Sequence, residues 1–307
     1  VRLDSHRSLP FAVEAYALRS RFQFSRTFAT FFEEVNPRFL MTQDDEIGAK
    51  MLFPAGNQGH FSVEGATLRT VDLTYPDWLF NPLDTSDRES FVGRVIGINW
   101  IQDGRNRSQL ARSGSYSRVR LQRFVGESEG LFKTSEGPWE SVNKQRSFYR
   151  FRAEGEWYFS TPWNRLRWGF KGALALTDEL LRSTYRSTLA QAFSFQPLLG
   201  SQSLFLESFR AYNFAGGGVV MDAELRDNLF LRGEVYGFQA MKGIYQAEKG
   251  PAYRNAPPTR MMAGIRCYSD FPFGPISMGV EYYERERAPW FFEFLWGFRI
   301  YQSTVRH

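Results

Sequence analysis

The chain has 307 residues, 43% of them hydrophobic, and a formal net charge of +5. That length suits one large β domain or two smaller ones. No apolar run approaches the roughly 18 residues of a membrane helix, and a single cysteine, Cys267, excludes an intrachain disulfide framework.

A mean hydropathy of −0.40 would class the chain as soluble, but a membrane barrel evades that measure because only alternate residues meet lipid. Aromatic residues make up 17%, with 30 Phe. Such an excess fits the aromatic girdles of a barrel, and a Phe-rich soluble core would also produce it. Of the 38 basic residues 32 are Arg, whose planar fork suits carboxylate networks and lipid phosphates. Outer-membrane lipid and lipopolysaccharide are therefore expected partners, with other outer-membrane or periplasmic subunits as further candidates. Nucleic acid is not expected, since the charges are spread along strands, mixed with Glu and Asp, and form no basic tract. Val1 opens no signal-peptide pattern, so the chain is expected to be either mature or a piece of something longer.

In chain order, residues 8–19 and 21–33 read as a hairpin turning at Ser20, with Phe22, Phe24, Phe28 and Phe32 alternating in the second arm. The cluster Asp44, Asp45 and Glu46 reads as a solvated rim. Strands follow at 47–54 and 59–71 around a Pro-Gly turn, then at 89–101 and 115–126, with 127–146 as a long polar loop. The clearest strand is 147–160. Arg150, Arg152, Glu154 and Glu156 share one face, opposite Tyr149, Phe151, Ala153, Trp157 and Phe159. Four alternating charges exclude a sandwich core on that face. After a turn at 160–164 and a return strand at 165–176, residues 177–215 lose the period-2 pattern and read as one long folded loop with two or three helical turns.

Next comes the most informative hairpin, 216–226 and 228–239, around Asp227-Asn228. Val220, Asp222, Glu224 and Arg226 share one face, and Val219, Met221, Ala223 and Leu225 the other; Arg232, Glu234 and Tyr236 oppose Leu231, Gly233 and Val235. One charged and one apolar face suit a strand between a wet interior and lipid, although a half-solvated soluble sheet alternates likewise. Residues 240–258 read as a loop, and 259–270, 275–285 and 290–301 as strands, the last with Trp290, Phe292, Phe294, Trp296, Phe298 and Ile300 on one face.

The connections decide between these readings. Those at 20, 54–58, 102–113, 161–164, 227 and 271–274 fall on one rim and are nearly all short. Those at 34–46, 72–88, 127–146, 177–215, 240–258 and 286–289 fall on the other, and all but the last are long. A soluble sandwich has no reason to sort its loops this way, whereas an outer-membrane barrel does. The expected fold is all-β, a transmembrane antiparallel β-barrel with about 13–14 strands in this chain and a long loop in the lumen. Bacterial barrels usually have an even count, so an odd number implies a missed strand or strands upstream of Val1.

The stretches GRNRSQLARSGSY (104–116), SFRAYNF (208–214) and GPISMGVEYYERERAPWFFEFLWGFRIY (274–301) together resemble the C-terminal barrel of Bacteroidetes-type patatin-like outer-membrane proteins. That barrel is similar to the superfamily of outer-membrane assembly factors and two-partner secretion transporters. The resemblance implies a barrel of 16 strands and an Arg-tipped loop folded into the lumen, with five strands after it. Here five expected strands follow Arg210, but Ala211 stands where the family has glycine. It also implies an upstream patatin-like hydrolase domain that residues 1–307 do not contain.

Catalytic, cofactor and metal residues are all expected to be absent. No G-x-S-x-G occurs, Asp103-Gly104-Arg105 and Ser113-Gly114-Ser115 read as turns, and His6, His60 and His307 are isolated. The expected structural network is Arg210 with Asp222, Glu224, Glu234 and Arg232, the loop guanidinium pairing with one of the three carboxylates. Three functions stay open: a barrel anchoring and translocating a patatin-like hydrolase, an assembly or translocation component, and a small-solute porin.

Overall fold

The computed structural model describes residues 2–4, 11–24, 40–74, 86–133, 139–160, 165–247, 250–271, 274–286 and 288–297. In chain order the strands are β1 (Arg2–Asp4), β2 (Ala12–Phe24), β3 (Leu40–Pro54), β4 (Gly59–Thr74), β5 (Asp87–Asp103), β6 (Gly114–Lys133), β7 (Trp139–Ser160) and β8 (Leu166–Thr177). Helix α1 (Tyr185–Gln191) and the short strands β9 (Phe193–Ser194) and β10 (Arg210–Ala211) follow. Then come β11 (Phe214–Arg226), β12 (Leu229–Ala240), β13 (Lys242–Ala247), β14 (Gly250–Asn255), β15 (Arg260–Phe271), β16 (Gly274–Tyr283) and β17 (Trp290–Trp296). Thirteen of these strands form one antiparallel sheet that runs in chain order from β1 to β17; β9 pairs with β10, and β13 with β14, outside it.

The sequence alternation becomes a two-faced wall. On β11 and β12 the apolar set is outside, with Val219, Met221, Leu225 and Val235 exposed, while Val220, Asp222, Arg232, Glu234 and Tyr236 are buried inside. The same holds on β7, where Tyr149, Trp157 and Phe159 point out and Arg150 is buried. Trp290, Phe292, Phe294 and Trp296 continue the outer band on β17, whereas Phe298 and Ile300 lie outside the described residues. Among the described residues no helix is long and apolar enough to cross a membrane. An apolar outer band around a charged interior is the arrangement of a transmembrane β-barrel, whose spanning segments are strands.

The strands are strongly staggered. One row of partners starts at Pro54, beside the short turn into β4, and climbs through His60, Ile101, Arg118, Glu154, Ala173, Gly216 and Phe238 to Arg260 at the opposite rim. Eight steps carry it the eleven residues that separate Arg260 from Phe271, about one and a half residues per strand, as a tilted barrel requires. A level line around the barrel therefore descends the rows by that amount.

Several elements differ from the sequence reading. β2 runs straight through Ser20, which pairs with Asp44, so no hairpin turns there; residues 25–33 of the expected second arm lie outside the described residues. The acidic cluster sits within β3 rather than on a rim, with Asp44 and Glu46 buried and the Tyr16 hydroxyl donating to Glu46 at 2.5 Å. The polar stretch 127–146 is mostly strand, because β6 and β7 continue as one hairpin to Lys133 and from Trp139. A 22-residue strand far exceeds the 9–11 residues that span a bilayer, so this hairpin projects beyond the long-loop rim. Residues 240–258 contain the β13–β14 hairpin. The turn at 161–164 lies outside the described residues.

Candidate functional site in the lumen

Residues 178–213, between β8 and β11, fold into the barrel as a plug. Thr184 starts α1: its hydroxyl accepts from the Ser187 N–H at 3.1 Å, and the Ser187 hydroxyl accepts from the Thr184 N–H at 3.2 Å. Beyond the helix, Phe193, Phe195, Leu198, Leu204, Leu206 and Phe209 pack with wall residues Phe214, Tyr236, Phe238, Met262 and Tyr283 into the main apolar core. The wall leaves room for them. A Cβ at Gly216 would lie 2.9 Å from the Phe195 ring, so only glycine lets the plug approach β11 this closely.

Polar contacts tie the plug to six strands. Glu179 accepts from Arg150 on β7 at 2.6 Å and from Arg182 at 2.5 Å, and Arg182 also reaches Glu89 on β5 at 3.4 Å. Gln191 donates to Asp72 on β4, Lys171 on β8 donates to the Pro197 carbonyl at 3.1 Å, Arg260 on β15 donates to the Ser208 carbonyl at 2.5 Å, and the Gly200 N–H donates to Glu281 on β16 at 3.0 Å. Burial alone would raise the Glu179 carboxyl, but Arg150 and Arg182 outweigh it and hold it below the usual range. Burial opposes the Arg182 charge too, yet Glu179 and Glu89 raise its pKa. The Tyr212 hydroxyl is pushed well up, by burial first and then by Glu179.

The five network residues are all placed, with different partners than expected. Arg232 lies directly opposite Asp222 across the β11–β12 ladder and donates to it, and the Tyr268 hydroxyl donates to the same carboxylate at 2.8 Å. Glu234 takes Lys171 at 3.3 Å and Tyr236 at 2.5 Å, and Glu224 takes Arg112 at 3.1 Å. Arg210 is buried, but its guanidinium donates to the Leu189, Ala190 and Ala192 carbonyls at 3.1, 3.4 and 3.3 Å and stacks 4.2 Å from the Phe205 ring. The reason is competition. Each carboxylate has a cation fixed on or beside the wall, while the C-terminal turn of α1 offers carbonyls that the helix itself cannot satisfy. Arg210 therefore binds the plug together internally, and Ala211 is fully buried in the β9–β10 pair.

A second plug comes from the other rim. The connection 104–113 bends inward: Leu110 (φ 52°), Ala111 and Arg112 are buried, and Arg232 donates to the Ala111 carbonyl at 2.5 Å. Arg112 stacks 3.8 Å above Phe230, Arg107 pairs with Asp270, and Arg105 bridges Asp103 at 2.8 Å and Glu156 at 3.2 Å. Asp103 thus serves a turn, and the Asn106 side-chain oxygen, accepting from the Arg112 and Ser113 N–H groups, ties the loop's neck. Between the two plugs lies a cavity of about 270 Å³, lined by Gln109, Arg118, Arg152, Lys171 and Gln202 among others. Among the described residues no group of three His, Cys, Asp or Glu side chains could hold a metal ion.

Sequence reasoning missed Glu179 as the shared partner of Arg150 and Arg182, and the β15–β17 cluster in which Arg266 bridges Glu281 at 2.8 Å and Glu293 at 2.5 Å. Alternation had placed Arg150 inward without naming its partner. The lower plug left one signal, the apolar pair Leu110-Ala111 inside an arginine-rich turn.

Neither a protein-family model nor a curated protein matches the chain. Solved structures do. BamA from Haemophilus ducreyi, in a form lacking POTRA domains 1–3, is similar at 12% identity and a TM-score of 0.53 over 92% of this chain and 57% of that one. The chain has the fold of an outer-membrane β-barrel. It belongs in the bacterial outer membrane, and it spans 57% of the length of that BamA chain. The β domain of the Bordetella autotransporter BrkA matches at 13% identity over 91% of this chain and 94% of that one, with a TM-score of 0.37.

Proposed function

We propose that this barrel is a translocation or assembly device of the outer membrane, held shut at rest by its two inward-folded segments. The single observation that supports this is the plug 178–213, whose polar ties to six strands are water-compatible and fix where it sits over its apolar cluster. Such contacts can be exchanged for water or for a client chain inside a lumen. A plain solute porin is the reading this packing favours least. On the finer level, the barrel anchors and exports a patatin-like lipid acyl hydrolase domain. The stretches 104–116, 208–214 and 274–301 support that assignment by resemblance.

The test is to lock the plug. In a Cys267→Ser background, cysteines replace Gln191 and Asp72, whose side chains hydrogen-bond at rest, and a bifunctional thiol reagent joins them. Locked barrels should lose surface display of a reporter fused upstream and regain it when the linker is cleaved. Unchanged display with the plug locked would refute a translocating lumen. A steady large conductance of the wild-type protein in a planar bilayer would restore the porin reading.

A further inference from the structure

Six arginines on β2–β6 are exposed; setting aside Arg19, which pairs with Asp45, and Arg88, near the long-loop rim, four face the membrane rather than the lumen: Arg21, Arg69, Arg94 and Arg123. Row by row they look scattered, but the stagger brings them together. Arg69 pairs across the ladder with Val92, and Arg94 lies two residues nearer the short-turn rim on that strand. Arg94 in turn faces Val125, and Arg123 again lies two residues nearer that rim. Arg21 faces Gln43, which faces Val71, two residues above Arg69. A descent of about one to two residues per strand is the level line of this barrel. The four guanidiniums therefore form one belt, with neighbours on adjacent strands roughly 7–8 Å apart at the backbone.

The height of the belt is set by what lies beneath it. Below Arg94 the outward residues are Ile96, Ile98 and Trp100; below Arg123 they are Leu121 and Val119; below Arg69 they include Val63 and Phe61. From Arg69 to Phe61 the chain drops about 20 Å after allowing for strand tilt, close to the apolar band of such barrels. The belt thus marks the upper edge of that band, on the long-loop side, where outer-leaflet headgroups lie.

Its charges are little used within the protein. Among the described residues Arg94 makes no ion pair or hydrogen bond, Arg123 has only the Tyr149 ring, 5.5 Å away, and Arg69 faces Asp45 across the β3–β4 ladder without an ion pair within 4 Å. Arg21 donates to the Met41 sulfur at 2.9 Å, and Asp45 pairs with Arg19 at 2.5 Å. Unpaired guanidiniums facing lipid are costly unless an anion meets them, and the planar fork matches phosphate oxygens. The outward carboxylates Glu127 and Glu129 stand above the belt on β6, about 13 Å or more along the strand from Arg123.

We propose that this belt is a binding site for the phosphate groups of lipopolysaccharide, whose acyl chains lie against the apolar wall below it. The outer-leaflet glycolipid is the chosen occupant because it carries several phosphates on one compact headgroup, matching several cations on one short arc. The site is independent of whether the lumen translocates anything.

The experiment is native mass spectrometry of the purified barrel in non-ionic detergent, titrated with bis-phosphorylated lipid A, dephosphorylated lipid A and phosphatidylglycerol. The wild type should retain bis-phosphorylated lipid A at least ten-fold more tightly than the other two. The triple variant Arg69→Gln, Arg94→Gln, Arg123→Gln should lose that preference, while the exposed Arg254→Gln on β14 should keep it. The single Arg94→Gln variant, expected to weaken binding several-fold, covers the case in which the triple variant misfolds. Equal lipid A binding by wild type and Arg94→Gln would overturn the site, and equal binding of phosphatidylglycerol would overturn lipopolysaccharide as its occupant.

Discussion

Replacing Glu179 by Gln should release the plug while leaving the barrel wall intact. The side chain is fully buried and lies between Arg150 at 2.6 Å and Arg182 at 2.5 Å. Removing its charge strands two guanidiniums in a site with one remaining carboxylate, Glu89, 3.4 Å from Arg182. Breaking a buried pair in this way typically costs about 3–5 kcal/mol. The amide still accepts one hydrogen bond, and Arg150 keeps the Gln191 carbonyl at 2.9 Å, so the lower end, about 3 kcal/mol, is expected. At about 1.4 kcal/mol per tenfold, plug opening should become roughly a hundred times more frequent. Hydrogen exchange at pH 7 should then quicken about a hundredfold in α1 and the residues after it, with little change in β6 and β7. The pH dependence has a definite sign. Glu179 titrates below the ordinary 4.5 when folded, so its contribution is complete above that value and lost as pH falls through the folded pKa. The wild type should therefore loosen its plug only as the pH falls below the ordinary carboxylate range, and the Gln variant should be loose at neutral pH without that acid transition. Plug exchange within threefold of wild type in the Gln variant would refute the reasoning.

Arg210→Ala should loosen the plug, and its effect should add to that of Asp222→Asn within about 0.5 kcal/mol, because the two share no contact; strong coupling in a double-mutant cycle would reinstate the direct pair. Met221→Arg, midway down the outer face of β11, should cost about 2–4 kcal/mol in lipid-bilayer unfolding, and Phe151→Arg, nearer the upper rim on β7, much less. Gly216→Val should lower thermal stability in detergent and raise single-channel conductance, since its side chain would enter the space of the Phe195 ring. Arg112→Met should leave the upper plug's exchange unchanged while exposing residues 104–113 to protease, which separates the two plugs.

Much of the wall was legible because lipid and lumen impose opposite polarities on alternate residues. The β11–β12 hairpin was placed to within two residues, and the faces of β7 came out as expected. The misses share one cause. Where both faces of a strand meet water, as in the projecting part of β6–β7, no hydrophobic period marks it. The run Asp44-Asp45-Glu46 looked like a loop because three acids in a row suit solvent. In the strand, Asp44 and Glu46 turn to the lumen while Asp45 meets Arg19 outside. Arg210 was seen as buried, but its partner depended on which acceptor lay nearest in space, and carbonyls at a helix end leave no mark in the sequence. The lower plug was hidden by its length, since a ten-residue turn looks the same whether it bends inward or outward.

The two kinds of contact holding the plug respond differently to its departure. Lumen carboxylates and guanidiniums that lose plug partners meet water, so moving the plug as a whole costs far less than deleting one partner in place. Phe193, Phe195, Leu198, Leu204, Leu206 and Phe209, all buried, gain nothing from water. Exposing these side chains at about 1.5–3 kcal/mol each opposes release by roughly 10–20 kcal/mol. The apolar cluster therefore supplies most of the resistance, and the charged pairs fix where the plug sits. On the proposed reading, a client opens this barrel by offering an apolar face to Phe214, Tyr236, Phe238 and Met262 as the plug leaves them. A polar client of equal size lacks that face and leaves the cluster in place. Plug exchange in the presence of an amphipathic strand peptide and of its all-polar counterpart should accordingly differ, with only the first accelerating it. Equal acceleration by both would show that charge, and not the apolar core, controls release.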